Sequence, residues 1–447
     1  MIRVEGTALQ RFSFAILIAF LFMIFSRVFD IQFYWLHLPG ISYRLVGVFL
    51  VISGAFMIAF RDAIGKCILG FTVFLLLSIP FSVWRTGSIQ ILTNQWLIGF
   101  VVFIATASLV TDFKQYTRTT KTIALAILVL TIICATLGVN VNGRLFLDRG
   151  RFSNPNEMAQ ALLLGMPFWW AIYSNSRSLF PKLLGAGSLL LMMYVISKTG
   201  SRGALVSVAV IVLFMFLRAT MIGKLKLILL GTVTLVAAVA LLPGGLKQRY
   251  QTFFTQEQVE DPEDQADAAM LGSAIASTNS REELLKRSIF LTFRHPLLGV
   301  GPGMFEVAEN SMAMAEGKRR GAWLGTHNTF TEVSSECGIP AFLLYCAVVV
   351  LALKRSYSLY RRTRHRPELE EINTQALALN YSLIAFVLTG CFVHAAYTSL
   401  LPVLAGLSIS LMRTAEPALA QAPQPTPANM GMPAYRAATR FAPVQPA

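Results

Sequence analysis

Apolar residues in this chain come in blocks of roughly 15–22, separated by short segments that carry the charges. A helix needs about 20 apolar residues to cross a bilayer. The pattern therefore predicts an all-α polytopic membrane protein with about twelve transmembrane helices. We expect the spans at about 12–28, 42–60, 64–83, 89–110, 121–139, 157–174, 180–197, 203–218, 224–243, 333–353, 376–394 and 396–412.

Composition agrees with this class, because 55% of the residues are hydrophobic and only 14% are charged. The net charge of +15 lies largely in short loops, where anionic lipid headgroups explain it better than a nucleic acid does. The five cysteines are scattered and predict neither a disulfide framework nor a metal site. No His, Asp or Glu cluster has the spacing of metal ligands, so we expect chemistry without a metal.

Orientation follows from the Lys and Arg residues of the short loops, which are enriched on the cytoplasmic side. With the N-terminus inside, the inner loops hold nineteen of these residues and the outer loops eight. Both termini are therefore predicted to be cytoplasmic. The stretch FSRVFDIQ after the first span is bulky and charged, which predicts a retained anchor and no cleaved signal peptide.

The chain divides into four parts. We expect helices 1–9 in residues 1–243, a periplasmic loop domain in 244–332, helices 10–12 in 333–412, and a disordered cytoplasmic tail rich in Pro, Ala and Gln in 413–447. Within the loop, Ser280 and Glu283 form a capping-box pattern. This pattern predicts a helix that begins at Ser280 and ends near His295 and Pro296.

Four motifs follow one another at the predicted outer boundary. They are GRFSNPNEMAQ, SKTGSRGALV, SREELLKRSIFLTFRHPLLGVGPGMF and HNTFTEVSSECGIPAFLLY. Together they resemble the O-antigen ligase and polymerase superfamily of bacterial envelope glycosyltransferases, over roughly residues 143–345. The first five spans resemble it in hydropathy only.

The resemblance implies a GT-C-like transferase in the inner membrane of a Gram-negative bacterium. Such an enzyme transfers a glycan from undecaprenyl diphosphate to an acceptor sugar at the periplasmic face, here the lipid A–core oligosaccharide. The family's important groups are an Arg in the SRG turn, an Arg opening the loop helix and a His heading the HN motif. They fall at Arg202, Arg281 and His327.

Physical chemistry assigns the two arginines similar roles. A leaving diphosphate develops negative charge that fixed cations stabilise, and the planar guanidinium binds phosphate oxygens two at a time. Arg281 in a first helical turn would oppose the helix dipole, which favours a function over local stability. Solvated or headgroup-anchoring arginines are the structural alternative. Leu285 stands where many relatives carry Trp, and Arg287 remains a second candidate in the same helix.

His327 is the predicted general base. A sugar hydroxyl becomes a competent nucleophile if a base removes its proton, and neutral imidazole does this near neutral pH. The alternative is a histidine that only caps the helix. We interpret His295 as part of a helix stop, and His37, His365 and His394 as boundary or packing residues.

A second patch of polar residues precedes the sixth span. Asn154, Pro155 and Asn156 are a strong turn and helix-start signal, which alone could account for them. The neighbouring Arg144 and Arg151 add outer-face cations against the insertion bias. We expect a second patch here that faces the diphosphate or an acceptor phosphate, with Arg144, Arg151 and Asn156 as substrate-binding residues. Asn328 and Arg287 are further substrate-binding candidates on the other motifs.

Several functions are compatible with these residues. The preferred interpretation is an O-antigen ligase. An O-antigen polymerase would share its donor chemistry but would use a different acceptor. A protein O-glycosyltransferase is disfavoured because such relatives usually carry a sizeable extra C-terminal region. A lipid-linked glycan transporter is the non-enzymatic alternative, although no internal repeat or charge in the middle of a span supports it.

Overall fold

The computed structural model describes residues 8–31, 38–52, 54, 56–141, 143–148, 154–225, 227–229, 231–232 and 265–422. Most of these residues are helical, which confirms the all-α membrane class. The helices are α1 (Ala8–Ser26), α2 (Val28–Ile31), α3 (Leu38–Ile52), α4 (Phe56–Arg61), α5 (Ala63–Ser78), α6 (Arg85–Ile91), α7 (Leu97–Leu109), α8 (Phe113–Leu137), α9 (Pro155–Asn175), α10 (Leu179–Lys198), α11 (Arg202–Arg218), α12 (Gln265–Arg294), α13 (Phe305–Ala315), α14 (Thr329–Thr363), α15 (Glu370–Gly390) and α16 (Leu400–Gln421).

Within the described residues, six helical segments are long and apolar enough to cross a membrane. They are Ala63–Phe81, Arg85–Leu109, Phe113–Leu137, Leu179–Lys198, Thr329–Thr363 and Pro367–Gly390. Helices also lie at most of the other predicted spans, whereas the ninth, at 224–243, falls largely outside the described residues. The total of twelve spans therefore stays a prediction.

Short polar side chains fix where several helices begin. Asp62 accepts a hydrogen bond from the backbone N–H of Ile64, and Asp112 does the same for Gln115. Asn154 accepts from Asn156 with Pro155 at the first helical position, an arrangement suited to a helix start. The predicted start of α9 is thereby confirmed.

The core lies between pairs of packed helices, notably α7 with α16, α9 with α10 and α15, and α5 with α14. Phe71 on α5 packs edge-on against Trp96 with ring centroids 4.7 Å apart, and against Tyr345 of α14 at 5.4 Å. The Trp96 indole N–H donates to Thr72 at 3.1 Å, so its polar atom is satisfied inside the core. Outward faces carry exposed apolar side chains, such as those of Leu183 and Leu213, as expected of helices that face lipid.

A small β-hairpin between α8 and α9 departs from the all-α prediction. Strand β1 (Val139–Val141) pairs antiparallel with β2 (Arg144–Phe146), and Val141 lies opposite Arg144. Gly143 has a φ of 70°, a conformation that glycine adopts without strain, which lets the chain reverse here. The hairpin places Arg144 beside the start of α9.

The loop helix begins earlier than the sequence predicted. Helix α12 runs from Gln265 to Arg294, so Ser280 is not its cap and Arg281 is not in its first turn. A capping box is a one-turn signal, and the Ala-rich stretch before it has high helix propensity, so the helix continues through it. The predicted end near His295 is confirmed.

Helix α14 is kinked at Gly338, whose φ of 85° is outside the helical range, two residues before Pro340. At the kink, carbonyl groups of α14 are left without a helical partner and accept hydrogen bonds from the preceding loop instead. Val300 and Gly301 donate to the carbonyls of Ser335 and Glu336 at 3.0 and 2.9 Å. The predicted turn in GVGPG is thus docked against the start of α14.

Two further boundaries differ from the prediction. Helix α15 ends at Gly390 and α16 begins at Leu400, so residues 391–399, expected to be mostly helical, form a connecting segment that carries His394. This segment is called the 391–399 segment below. Helix α16 continues to Gln421 into the predicted disordered tail, and residues 423–447 lie outside the described residues.

Candidate active site

The HN motif forms the N-terminus of α14. The Asn328 side chain accepts hydrogen bonds from the backbone N–H groups of Phe330 at 2.9 Å and Thr331 at 3.2 Å, so it is the helix cap. His327 precedes the cap with a φ of 49°, a left-handed conformation that is uncommon for residues other than glycine. The capping role considered for the histidine therefore belongs to Asn328.

The first turns of α14 hold the 391–399 segment in place. Thr329 donates to the Val393 carbonyl at 2.7 Å and accepts from the Ala395 N–H at 3.2 Å. The Glu332 carboxylate accepts from the Ala396 N–H at 3.0 Å. These bonds fix the backbone on both sides of His394.

A second carboxylate, Glu336, joins three parts of the site. It accepts from the backbone N–H groups of Gly303 at 2.6 Å and Phe305 at 3.0 Å, and from the Tyr397 hydroxyl at 2.7 Å. The side chain is 3% exposed. Because every bond is made in a buried setting, Glu336 fastens the glycine-rich turn and the 391–399 segment to α14.

This scaffold brings His394 to His327. Their ring centroids are 5.4 Å apart, with an angle of 63° between the ring planes. On its other side, His394 Nε2 lies 3.4 Å from Glu157 Oε1 in the first turn of α9. His394, interpreted from the sequence as a boundary or packing residue, therefore lies beside His327 and Glu157.

Arg144 forms hydrogen bonds with two other elements of the candidate site. Its Nε donates to the Thr199 carbonyl at 2.8 Å, and its Nη2 donates to Asn156 Oδ1 at 3.1 Å. Asn156 is buried. Arg144 therefore joins the hairpin, the start of α9 and the turn before α11, so the predicted pairing of Arg144 with Asn156 in one patch is seen.

Arg202 opens α11 directly after this turn. Gly200 has a φ of 61°, and the Ser201 side chain caps the helix by accepting from Ala204 N–H. The turn and the cap therefore fix the backbone from which the Arg202 side chain extends. Arg202 itself is half-buried at the start of the helix. Gly203 meets Phe392, which places the turn against the 391–399 segment.

Burial and nearby charged groups shift the pKa of His327. Burial lowers the pKa of His327 to about 3, and His394, Arg281 and Arg144 act in the same direction. At neutral pH the imidazole is therefore uncharged. Arg281 and Arg144 come close enough to His327 to influence its charge.

The two candidate arginines of α12 have different surroundings. Arg287 is buried in a network of carboxylates, with Nη2 2.7 Å from Glu316 and 3.1 Å from Glu283, and Nε 3.6 Å from Glu309. Lys318 bridges the same carboxylates. Arg287 is thus held by anions of the protein itself, whereas Arg281 acts on His327.

Arg151 lies outside the described residues. Among the residues that the structure describes, no group of three or more His, Cys, Asp or Glu side chains could hold a metal ion. His394 and Glu157 were missed from the sequence, although a histidine at a break between apolar runs and a glutamate inside the NPNE motif were available signals.

Residues 187–346 match the model of the family described as O-antigen ligase. The match covers about a third of the chain, and over these residues the chain is similar to the O-antigen ligase family. The O-antigen ligase segment contains Arg202, Arg281 and His327, and the family resemblance inferred from the four motifs is confirmed. Arg144, Glu157 and His394 lie outside it. A comparison with curated proteins gives no match.

Proposed function

We propose that the protein is an O-antigen ligase, which transfers polysaccharide from undecaprenyl diphosphate to the lipid A–core oligosaccharide during lipopolysaccharide biosynthesis. The observation that carries this proposal is the position of His327 at the start of α14, beside His394 and close enough to Arg281 and Arg144 for their charges to act on it. Glycosyl transfer from a lipid diphosphate needs both features, a proton acceptor for the incoming hydroxyl and positive charge for the leaving group.

Arg202 and Arg281 bind the diphosphate of the donor in this proposal. As the anomeric C–O bond breaks, negative charge develops on the leaving phosphate oxygens, and a guanidinium opposes it with two parallel hydrogen bonds. Arg202 suits this role because its helix start is fixed by the Gly200 turn and by the Ser201 cap. We assign the α12 contact to Arg281, because its charge acts on His327.

His327 removes the proton of the acceptor hydroxyl. The hydroxyl oxygen forms a bond to the anomeric carbon, the bond from that carbon to the diphosphate oxygen breaks, and the proton passes to the imidazole. Charge then balances between an imidazolium and the released undecaprenyl diphosphate. The cations of the protein supply the positive charge at the leaving group, so the reaction proceeds without a metal.

The site faces the periplasm of the inner membrane in this proposal. Support comes from the excess of Lys and Arg in the loops at the opposite ends of the helices. Arg281, His327 and the start of α11 then lie together on the outer side, where lipid-linked glycan is presented. Arg144, Asn156 and Asn328 shape the same region, the last as the cap that orients His327.

Product analysis with purified protein tests the assignment. Labelled undecaprenyl-diphosphate glycan is supplied in lipid vesicles with either lipid A–core acceptor or excess unlabelled donor. Label on the core acceptor supports the ligase, whereas a lengthened lipid-linked chain would identify a polymerase. Label that crosses the vesicle membrane without a new glycosidic bond would identify a transporter and overturn the proposal.

A further inference from the structure

His394 and Glu157 form a carboxylate–imidazole pair that the reaction described above does not use. The pair joins two distant parts of the chain, since Glu157 lies in the first turn of α9 and His394 in the 391–399 segment. A carboxylate beside one ring nitrogen fixes the tautomer of a histidine, and it leaves the other nitrogen with a lone pair. Nε2 of His394 faces Glu157, so when Glu157 is ionised Nε2 carries the hydrogen and Nδ1 carries the lone pair.

The Nδ1 atom of His394 is buried and has no hydrogen-bond partner in the described part of the chain. Gly325 lies over the face of the His394 ring, since a Cβ added there would be 3.0 Å from both Cγ and Nδ1, and the ring of His327 lies 5.4 Å away, centroid to centroid. Buried polar atoms are nearly always paired in proteins, and an exception calls for an explanation. A proton arriving from the neighbouring imidazole would satisfy it.

The position of the 391–399 segment does not depend on His394. Thr329, Glu332 and Glu336 bind the backbone of residues 393, 395 and 396 and the Tyr397 hydroxyl. The His394 side chain is therefore held at the site by its neighbours and contributes none of these bonds. Because the His394 side chain is not needed for these bonds, we infer that its imidazole and the Glu157 carboxylate take part in the reaction.

We propose that His394 and Glu157 form a proton relay for His327, which removes the acceptor's proton from the active site. The inference rests on the proposed function, in which His327 is the base. It makes His394 and Glu157 positioning and relay residues that do not contact the donor.

The relay conserves protons at each step. His327 takes the proton from the acceptor hydroxyl and passes one to His394 Nδ1. His394 then gives its Nε2 proton to the ionised carboxylate of Glu157, which becomes a neutral carboxylic acid, and His327 returns to its neutral form. His394 is left with its hydrogen on Nδ1, and exchange of that hydrogen back to Nε2 restores the relay before the next turnover. Glu157 borders a cleft that is also lined by Arg27, Gln160, Thr398 and Ser399, and water in this cleft accepts the proton.

Kinetics of two single variants and their combination test the relay. In the full-length protein, His394→Gln and Glu157→Gln should each lower kcat for transfer about a hundredfold, the lower end for loss of a proton-transfer group. The KM for the lipid-linked donor should stay unchanged, because neither residue contacts it. The double variant should be no slower than either single variant, because residues that act as a unit are not additive.

Matched controls and a second readout keep the outcomes separate. His365→Gln and Glu368→Gln, at the opposite end of α14 and beyond, should transfer glycan at the wild-type rate. Thermal unfolding of each purified variant identifies one that fails to fold, in which case the other single variant decides. Either folded single variant with kcat within about threefold of wild type would overturn the relay, as would a double variant that falls by the product of both effects.

The proposed function can fail independently of the relay. An active His327→Asn variant would remove the base assignment, and the relay with it. An inactive His327→Asn variant beside a fully active His394→Gln variant would leave the base assignment intact and overturn the relay alone.

Discussion

Gly203 lies directly against the ring of Phe392, and a Cβ added to this glycine would be 2.6 Å from the Phe392 Cγ. The contact joins the SRG turn, which positions Arg202, to the 391–399 segment, which positions His394. No side chain larger than hydrogen fits between them without movement. The distance between the SRG turn and the 391–399 segment therefore depends on the absence of a side chain at Gly203.

Replacing Gly203 by alanine should reduce glycan transfer. The added methyl group would displace Phe392 or α11, and overpacking of this kind costs about 1–3 kcal/mol. Transfer by purified protein and thermal unfolding should both fall. Gly187→Ala is the matched control, because nothing lies within 4 Å of a Cβ at Gly187. If Gly203→Ala transfers glycan at the wild-type rate, the close contact has no role in the site.

Replacement of Arg202 or Arg281 should reduce transfer about a hundredfold to a thousandfold, as expected when a group that stabilises developing charge is removed. Lysine should restore little activity, because it lacks the bidentate fork of the guanidinium. Steady-state kinetics with labelled donor measure the effect. Arg294→Ala is the control, since this exposed side chain of α12 lies over the Phe290 ring. Full activity with both arginines replaced by alanine would contradict the assignment.

Arg287→Ala should act mainly on stability. The change removes the cation that lies between Glu283, Glu309 and Glu316 and leaves the buried Glu309 carboxylate without it. We expect a loss of about 2 kcal/mol, reduced by the solvent screening of the two exposed carboxylates. Thermal unfolding measures it, with Lys286→Ala, from an exposed pair with Glu282, as the control. If the variant instead keeps wild-type stability and loses much of its affinity for the donor, Arg287 would be a substrate-binding residue.

Hydropathy and local motifs predicted most of the described helices and selected three of the candidate site residues, because both signals act within a few turns of chain. The apolar runs that became α5, α8 and α14 needed no tertiary information. The SRG turn was recognisable because Gly200 and Arg202 are adjacent in sequence. His327 was recognisable because its motif also contains the cap, Asn328.

The parts that were missed depend on contacts between distant residues. His394 is brought beside His327 only when Thr329 and Glu332 bind the backbone next to it, and no local pattern specifies that pairing. The start of α12 was misplaced because Ser280 satisfies a capping pattern within a sequence that favours a longer helix. Arg287 appeared equivalent to Arg281 because a helix register does not show which carboxylates the fold brings to it.

The rate of transfer should not fall through the ordinary histidine pKa as the pH is lowered. Burial lowers the pKa of His327 to about 3, so its base form persists between pH 5 and 8, and His394 titrates below its ordinary value for the same reason. The unfolded chain binds this proton near pH 6.5, so His327 favours folding above that pH, and its contribution is lost as the pH falls towards 3. A pH profile of kcat/KM for purified protein measures the titration of the free enzyme. An acid loss of activity centred near pH 6.5 would contradict the depressed pKa.

The most direct test of the central claim is glycan transfer by His327→Asn at wild-type abundance in the membrane. Asparagine tolerates the left-handed backbone at this position and makes hydrogen bonds, but it does not accept a proton at neutral pH. His365→Asn, remote from the site, is the matched control. If His327 is the base, the His327→Asn variant should bind lipid-linked donor normally and transfer glycan about a hundredfold to ten-thousandfold more slowly. Near-normal turnover by this variant would contradict the account.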